Sequence, residues 1–380
     1  MNAGSKRLVS VAVFAAVPLA LVAARFGLDS LHLVDFRSLW HASRDVLDGR
    51  SPYRPSPDPR LPVTADCLGS GPDCFVYPPL TALLTVPLGL LPFAAAGSIF
   101  FALDLAALLA ALRVLGVRDW RCYGVVVASG PALSAVEGGT LTPLLVLCVA
   151  VAWRYRDNRA VASVTLAVAV VAKLFLWPLV IWFAATRRMS TAVLAVAAGV
   201  FICIATWAPL GFAGVGVYPQ RLQALTHVWQ SRAYSPVALG LALGLPSGAA
   251  SALALVVGGA VLAASVVVAR RGDEQQSFAL VIAAVLLLSP LIWLNSFLLL
   301  LVPLAIARPT LSRAWALTVP FLFLPGMADG RIAVIAVGLA LLGAITWVSV
   351  SRSASVGLDL PQPVGDERHP LPRLANADGI

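Results

Sequence analysis

The sequence predicts an all-α polytopic integral membrane protein, and its composition and apolar runs carry that prediction. Of its 380 residues, 59% are hydrophobic and only 12% are charged, and the mean hydropathy is +0.89. A soluble domain carries about 25% charged residues, so a water-soluble globular enzyme is excluded. The apolar runs are long and rich in Ala, Leu and Val, without the alternation of a membrane β-barrel. Helices, which satisfy their own backbone groups, are therefore expected to span the membrane.

The net charge is +9, and basic residues cluster in short gaps between the apolar runs. These gaps are residues 6–7, 113–121, 154–159, 187–188, 270–271, 308–313 and 352. Short basic loops are typical of the cytoplasmic side of a plasma membrane protein, so the chain is expected to be multi-pass with membrane lipids around it. A nucleic-acid-binding protein would show one basic face instead, which excludes nucleic acid as a partner.

The first half of the chain combines one span with a long outer loop. Residues 8–26 are expected to be a retained first span, because no small-residue cleavage site follows them. The segment 27–75 is then the first extracytoplasmic loop, and it holds seven of the eighteen acidic residues against five arginines. Residues 76–91 are apolar but contain three prolines, which predicts an outer juxtamembrane helix or half-span before a span at about 94–115.

Past Arg121, three apolar stretches of about 27–32 residues are each broken near the middle by polar residues. The breaks are Glu137-Gly138-Gly139, Lys173, and Ser289-Pro290 followed by Trp293 and Asn295. Each half makes about 20–24 Å of helix, whereas a bilayer core is about 30 Å thick. Such half-helices are tolerated where they line protein or a watery cavity. Parity, the count of membrane crossings between the cytoplasmic basic gaps, places the breaks and the loop 211–234 on the outer side. Counted as separate helices, the halves bring the total to roughly 10–12.

We expect one transmembrane domain over residues 1–351, followed by a Pro-rich, disordered cytoplasmic tail at 352–380. In the outer loop, Cys67 and Cys74 flank a Gly- and Pro-rich turn, which predicts a disulfide in an oxidising compartment. The alternative is two free thiols beside a turn. No second Cys/His pair and no Asp-x-Asp accompanies them, so we expect no metal and no cofactor.

Several short motifs follow one another in a characteristic order. Asp35 comes after the first span and is followed by Gly49-x-x-x-Tyr53 and by Tyr77-Pro78-Pro79. Ala172-Lys173-Leu174 with Pro178 comes next, and Ser289-Pro290-x-x-Trp293 is last. Over residues 8–350 this ordered set resembles the GT87 family of the GT-C superfamily, the bacterial polyprenyl-phosphate-sugar-dependent glycosyltransferases. That family includes the actinobacterial mannosyltransferases of phosphatidylinositol mannoside synthesis and related arabinofuranosyltransferases.

The resemblance implies a GT-C-like bundle and an enzyme whose active site faces the extracytoplasmic side. Its implied activity is transfer of a sugar from a polyprenyl-phosphate donor to a lipid or glycan acceptor, with the hexose mannose favoured and the pentose arabinofuranose as the alternative. The sequence departs from the family pattern twice. Glu137-Gly138-Gly139-Thr140 replaces a Gly-Gln-x-Asn-like element, and Leu294-Asn295-Ser296 follows Trp293 where a His often stands.

Three ionisable residues are the leading candidates for the chemistry. Asp35 is the expected general base, since transfer to a hydroxyl needs a carboxylate to take its proton; the alternative is a cap for a helix that begins near Phe36. Lys173, one of two lysines against twenty-five arginines, is expected to bind the donor phosphate, or else to extend its ammonium to the interface. Glu137 is expected to bind substrate, or else to lie in water at the boundary.

Other polar and aromatic residues are weaker substrate-binding candidates. They are Arg37, Tyr77, Arg221, Arg232, Trp293 and Asn295. The arginines would contact phosphate or acceptor, whereas Tyr77 and Trp293 would stack on sugar rings or else belong to the interfacial aromatic belt. Asp104 stands within an apolar run, and either a pairing with Lys173 or the region of Glu137, or protonation, would account for it.

Two other classes of protein stay open. A transporter or flippase also has broken helices and buried charges, but two corresponding halves are expected there and no internal repeat is evident. A non-catalytic, degenerate family member would fit the altered residues after Trp293.

Overall fold

The structure is a computed structural model that describes residues 33–53 and 75–351. The predicted first span, the Cys67–Cys74 pair and the tail at 352–380 lie outside the described residues. The α-helices in chain order are α1 (Val34–Leu47), α2 (Pro79–Gly89), α3 (Phe93–Val114), α4 (Trp120–Val127), α5 (Gly130–Gly138), α6 (Thr142–Arg154), α7 (Arg159–Ala172), α8 (Pro178–Ala185), α9 (Met189–Trp207), α10 (Val217–Trp229), α11 (Pro236–Ala242), α12 (Ser247–Arg270), α13 (Glu274–Leu288), α14 (Leu301–Ala307) and α15 (Ile332–Val350). Shorter 3-10 segments are Leu174–Leu176, Ala208–Leu210, Gln230–Arg232, Leu294–Leu300 and Arg313–Phe323.

The predicted class is confirmed, because the described chain is helical and strongly apolar. Four helical segments in it are long and apolar enough to cross a membrane: Phe93–Val114, Met189–Leu210, Ser247–Arg270 and Ile332–Val350. The first of them corresponds to the span expected at 94–115. Most remaining helices have 7–15 residues, so the bundle mixes full spans with the half-length helices that the polar breaks predict.

Helix α2 accounts for the proline-rich segment at 76–91. Its 11 residues make about 16 Å of helix, which is too short to cross a bilayer. It runs parallel to α1, because Thr85 Oγ1 donates to the Leu39 carbonyl at 3.4 Å and Gly89 lies against Ser43. The segment is therefore a short helix packed beside α1, ahead of the first described span.

The third break falls beside the middle of a long span. Helices α12 and α13 are antiparallel, since Ser265 Oγ on α12 donates to the Ser277 carbonyl on α13 at 2.8 Å. Further along, Gly258 is so close to Leu288 that an added Cβ would stand 3.0 Å from the Leu288 nitrogen. Helix α13 thus ends level with the centre of the 24-residue α12, and Pro290 follows at that depth.

The second break is placed in the same way. Ser163 Oγ on α7 donates to the Thr191 carbonyl on α9 at 3.0 Å, and a Cβ added at Gly199 would stand 3.6 Å from Val171, so the two helices are parallel. Lys173 ends α7 in an extended conformation, with φ −152° and ψ 102°. It therefore lies beside the second half of α9, short of that helix's end.

The basic gaps meet one another in space. Arg156 Nε lies 2.7 Å from one carboxylate oxygen of Glu274, and Arg188 Nη1 lies 2.8 Å from the other. Arg188 also pairs with Asp157 at 2.6 Å. These pairs join the gaps at 154–159 and 187–188 to Glu274, which begins α13 just after the gap at 270–271.

The third polar break is joined to the end of the segment 211–234. The backbone nitrogen of Tyr234 donates to the Ile292 carbonyl at 2.8 Å, and Ser235 Oγ donates to the Pro290 carbonyl at 2.8 Å. The end of the loop 211–234 is thereby fixed against the third break, so these two regions share one end of the bundle.

Candidate functional site

Asp35 lies in the first turn of α1. The helix begins at Val34 rather than near Phe36, and its N-cap, Leu33, makes no side-chain cap hydrogen bond. Asp35 is therefore not the cap residue, and the capping alternative is wrong. A carboxylate in a first helical turn is favoured by the partial positive charge of the free N–H groups there.

The first break packs directly on the start of α1. The Leu33 nitrogen donates to the Glu137 carbonyl at 3.0 Å, although Leu33 adopts an unusual φ of 39°. Gly139 has φ +62°, and an added Cβ would stand 2.6 Å from the Cβ of Phe36. Because only glycine accepts both that conformation and that approach, the Gly-Gly pair allows the break to contact α1. Phe36 is fully buried and stacks on Phe100 at 4.6 Å.

Tyr77 contacts Asp35 through its hydroxyl. Tyr77 Oη donates to Asp35 Oδ2 at 3.2 Å, and the tyrosine side chain is buried. Pro78 and Pro79 fix the chain just after Tyr77, because Pro79 begins α2. Among the described residues no hydrogen bond reaches Oδ1 of Asp35. The predicted stacking residue therefore also orients the carboxylate.

Lys173 faces the same carboxylate from the second break. Its ammonium attracts Asp35 electrostatically, without a direct ion pair, and lies 5.5 Å from the centre of the Phe175 ring. The extended backbone at Lys173 ends α7 and directs the chain into the next half-helix. The two residues are far apart in sequence, yet the fold brings them to one place.

The surroundings shift the acidity of Asp35. Burial raises the pKa of Asp35, and the Lys173 charge and the Tyr77 hydrogen bond oppose that rise without cancelling it. Asp35 as a whole residue is partly exposed. A carboxylate whose pKa lies above its ordinary value is better matched to accepting a proton near neutral pH.

Asn295 ties the third break to the first. Thr142, at the start of α6, donates from Oγ1 to Asn295 Oδ1 at 3.3 Å, and Ser296 Oγ donates to the same oxygen at 3.4 Å. Thr142 and Asn295 are both buried. Because Thr142 follows the first break by three residues, this bond makes the first and third breaks neighbours.

An aromatic and charged group lies further along the third break. The rings of Trp229 and Trp293 meet edge to face at 6.1 Å, and the Arg232 guanidinium lies 4.9 Å from the Trp229 ring. Arg232 Nε is 4.0 Å from Asp329 Oδ1, and both side chains are about half exposed. Trp229, at the end of α10, is not among the residues predicted from the sequence. Its spacing of three residues from Arg232 could have indicated it, because residues three apart lie on the same side of a helix.

Two of the predicted arginines contact protein groups. Arg221 is buried, and its Nη1 donates to the Pro52 carbonyl at 3.2 Å and to the Phe75 carbonyl at 3.3 Å. Arg37 is exposed and lies over the Phe93 ring at 5.2 Å. Tyr53, the last residue of the Gly49-x-x-x-Tyr53 motif, is also buried, and its hydroxyl donates to the Tyr77 carbonyl at 2.6 Å.

Two further acids differ in their surroundings. Glu137 is partly exposed at the end of α5. Asp104 is fully buried in α3, and neither of its oxygens has a hydrogen-bond partner among the described residues. No ion pair between Asp104 and Lys173 is seen there either. Within the described ranges no group of three or more His, Cys, Asp or Glu side chains is placed to hold a metal ion.

Comparison with known proteins identifies the family of this chain. A family model, Glycosyltransferase family 87, matches residues 75–290. No curated protein and no solved structure matches the chain. The match includes Tyr77, Glu137 and Lys173, whereas Asp35 and Trp293 lie beyond its ends. Because it covers more than half of the chain, the protein belongs to glycosyltransferase family 87 and is a membrane glycosyltransferase.

Proposed function

We propose that this protein transfers mannose from a polyprenyl-phosphate donor to a lipid or glycan acceptor at the extracytoplasmic face of the plasma membrane. The observation that carries the proposal is the meeting of Asp35, Tyr77 and Lys173 where the polar breaks converge. A carboxylate, a phenol that orients it and an ammonium beside them are the groups that glycosyl transfer to a hydroxyl requires.

The reaction is a single displacement with inversion at the anomeric carbon. The acceptor hydroxyl oxygen attacks that carbon, a new C–O bond forms, and the bond from the carbon to the phosphate oxygen breaks. Asp35 accepts the proton of the attacking hydroxyl on Oδ1, and the electron pair of the broken bond leaves with polyprenyl phosphate. Lys173 stabilises the negative charge on that leaving phosphate. No cofactor enters this scheme.

The placement of Lys173 supports a lipid-linked donor. It ends α7 beside the second half of α9, so a phosphate bound there would stand at the border of the apolar region. A polyprenyl chain would then extend into the bilayer while its sugar reaches Asp35. Basic gaps that cluster together, and a polar loop that contacts the breaks, support an extracytoplasmic site.

We assign the acceptor to the side of the third break. Trp293 and Trp229 offer aromatic surface for the C–H faces of a sugar ring, and Arg232 offers hydrogen-bond donors for its hydroxyls. We place Asn295, which accepts a hydrogen bond from Thr142, and Glu137, at the end of α5, at the edge of this region. Arg37, which is exposed on α1, is the weakest of the proposed substrate contacts.

The decisive experiment measures transfer with the full-length protein in liposomes. Radiolabelled polyprenyl-phosphate mannose is supplied with lipid acceptors extracted from a strain that lacks the gene, and the labelled product is identified by mass spectrometry. We expect labelled product with the wild-type protein and at least about a hundredfold less with the Asp35→Asn variant. Polyprenyl-phosphate arabinose serves as the parallel donor.

Two outcomes would contradict the proposal. Movement of the labelled donor across the liposome membrane without any product would favour a transporter or flippase. Transfer from the arabinose donor alone would show a glycosyltransferase that uses arabinose in place of mannose.

A further inference from the structure

We infer that Tyr53 and Arg221 are positioning residues, which hold Tyr77 so that its hydroxyl meets Asp35. On this inference Arg221 acts on the protein backbone rather than on the donor phosphate. The inference rests on the proposed function, because it assigns Asp35 to the reaction.

Tyr53 acts on Tyr77 through the main chain. Its hydroxyl donates to the Tyr77 carbonyl at 2.6 Å, and the bond is buried. The Tyr53 ring stacks on Trp207 at 4.7 Å and meets Tyr218 edge to face at 5.7 Å. Because the ring is held on several sides, the hydroxyl has little freedom to follow a displaced Tyr77.

Arg221 acts on the same segment from α10. Its Nη1 is shared between the Pro52 carbonyl and the Phe75 carbonyl, which belong to the described stretches on either side of residues 54–74. One buried guanidinium thus bridges the two described stretches, one residue before Tyr53 and two residues before Tyr77. A planar guanidinium with several fixed donors suits such a bridge, whereas an ammonium is a single point of contact.

The second outer loop completes the enclosure of Tyr53. Ser51 Oγ donates to the Ala213 carbonyl at 2.7 Å. Gly214 has φ +95°, and an added Cβ would overlap the Cβ of Tyr53, so the loop approaches as closely as a glycine permits. The two loops therefore form one packed unit around Tyr53.

The consequence for catalysis follows from the order of these contacts. Tyr53 and Arg221 fix the backbone at residues 75–77, that backbone sets the position of Tyr77 Oη, and Tyr77 Oη orients Asp35. Neither positioning residue needs to contact substrate. Loss of either should therefore lower the catalytic rate more than the affinity for donor.

The test uses two variants of the full-length protein in liposomes. Tyr53→Phe keeps the ring and removes only the hydroxyl, and we expect kcat to fall about tenfold while the donor KM changes less than about twofold. Arg221→Lys keeps the charge but loses the bridge, and we expect the same pattern. A phosphate ligand would instead raise the donor KM and leave kcat near the wild-type value.

A matched control removes the same kind of bond elsewhere. Tyr123 Oη donates to the Val117 carbonyl at 2.8 Å near a basic gap, far in sequence from the proposed site. We expect Tyr123→Phe to leave kcat and KM unchanged. An equal fall in kcat for Tyr123→Phe and Tyr53→Phe would overturn the inference, as would a raised donor KM in Arg221→Lys.

Hydrogen exchange separates failure of the inference from failure of the proposed function. We expect faster exchange of the amides at 75–83 in Tyr53→Phe and Arg221→Lys than in wild type, and no change in Tyr123→Phe. Wild-type protein without transferase activity would refute the proposed function alone, since the exchange result still reports on positioning. Unchanged exchange in both variants would refute the positioning roles whatever the activity.

Discussion

Tyr77 donates its hydroxyl hydrogen to Asp35 Oδ2 at 3.2 Å, although the two residues are 42 positions apart in the sequence. The contact joins an acid at the start of α1 to a residue held just ahead of α2 by two prolines. Among the described residues it is the one hydrogen bond that this carboxylate receives. The Tyr53 hydroxyl also holds the Tyr77 carbonyl, so the Tyr77 hydroxyl has a defined position before any substrate binds.

Replacement of Asp35 by Asn tests the proposed base. The amide is nearly isosteric and keeps an acceptor oxygen for Tyr77, but it cannot accept a proton at neutral pH. We expect turnover to fall by about 10²–10⁴-fold, while thermal stability in detergent and donor binding change little. Initial rates of mannose transfer measure the first quantity, and a thermal melt measures the second.

Asp45→Asn is the control for that experiment. Asp45 lies on the same helix and its carboxylate pairs with Arg50 at 3.1 Å near the surface. Surface ion pairs contribute about 0–1 kcal/mol, so this variant should be nearly silent. An active Asp35→Asn enzyme beside an inactive Asp45→Asn or Glu137→Gln enzyme would move the base to another residue.

Replacement of Tyr77 by Phe should change the pH dependence of the rate. The Tyr77 hydrogen bond lowers the pKa of Asp35, so its removal raises that pKa further above the ordinary value. Since the ionised carboxylate is the active form, the acid limb of kcat/KM should move to higher pH in Tyr77→Phe. A profile of kcat/KM from acid to neutral pH measures the shift. A limb that stays in place, or moves to lower pH, would separate Tyr77 from the proposed base.

Lys173→Met tests the phosphate contact. Methionine keeps a similar chain length and removes the charge, so folding should survive. A charge-assisted contact contributes about 1.5–3 kcal/mol, and the apparent donor affinity should fall by roughly ten- to hundredfold. Titration of the donor at fixed acceptor concentration measures this. Arg118→Met, at an exposed position in a basic gap, is the matched loss of charge and should leave donor affinity unchanged. An unchanged donor affinity in Lys173→Met would instead favour an ammonium that only extends to the interface.

The orientation of the bundle can be tested by thiol labelling. Tyr155 and Gln223 are both exposed, the first in a basic gap and the second on α10, and each can be replaced by a single cysteine. In intact cells an impermeant thiol reagent should label Gln223→Cys and spare Tyr155→Cys until the membrane is opened. Labelling of Tyr155→Cys from outside would reverse the parity and move Glu137 and Lys173 to the cytoplasmic face.

The sequence by itself determined the class of protein and the places where its helices are broken. Apolar runs and basic gaps can be recognised from residues that are neighbours in the sequence. They decide which segments span the membrane, because exposing charge or unpaired backbone to lipid is costly. For the same reason the polar residues at 137–139, 173 and 289–295 are enough to locate the breaks along the chain. The ordered motifs from Tyr77 to Pro290 pointed to the family that the matched segment confirms.

Only the tertiary structure decided which polar groups meet. Nothing in the spacing of Asp35, Tyr77 and Lys173 shows that they converge, because that depends on how α1, α2 and α7 pack across long stretches of sequence. Arg221 was a candidate for phosphate from its charge alone, yet its Nη1 donates to two backbone carbonyls. Charge and hydropathy are read along the chain, whereas the direction of a side chain is set by close packing between helices far apart in sequence.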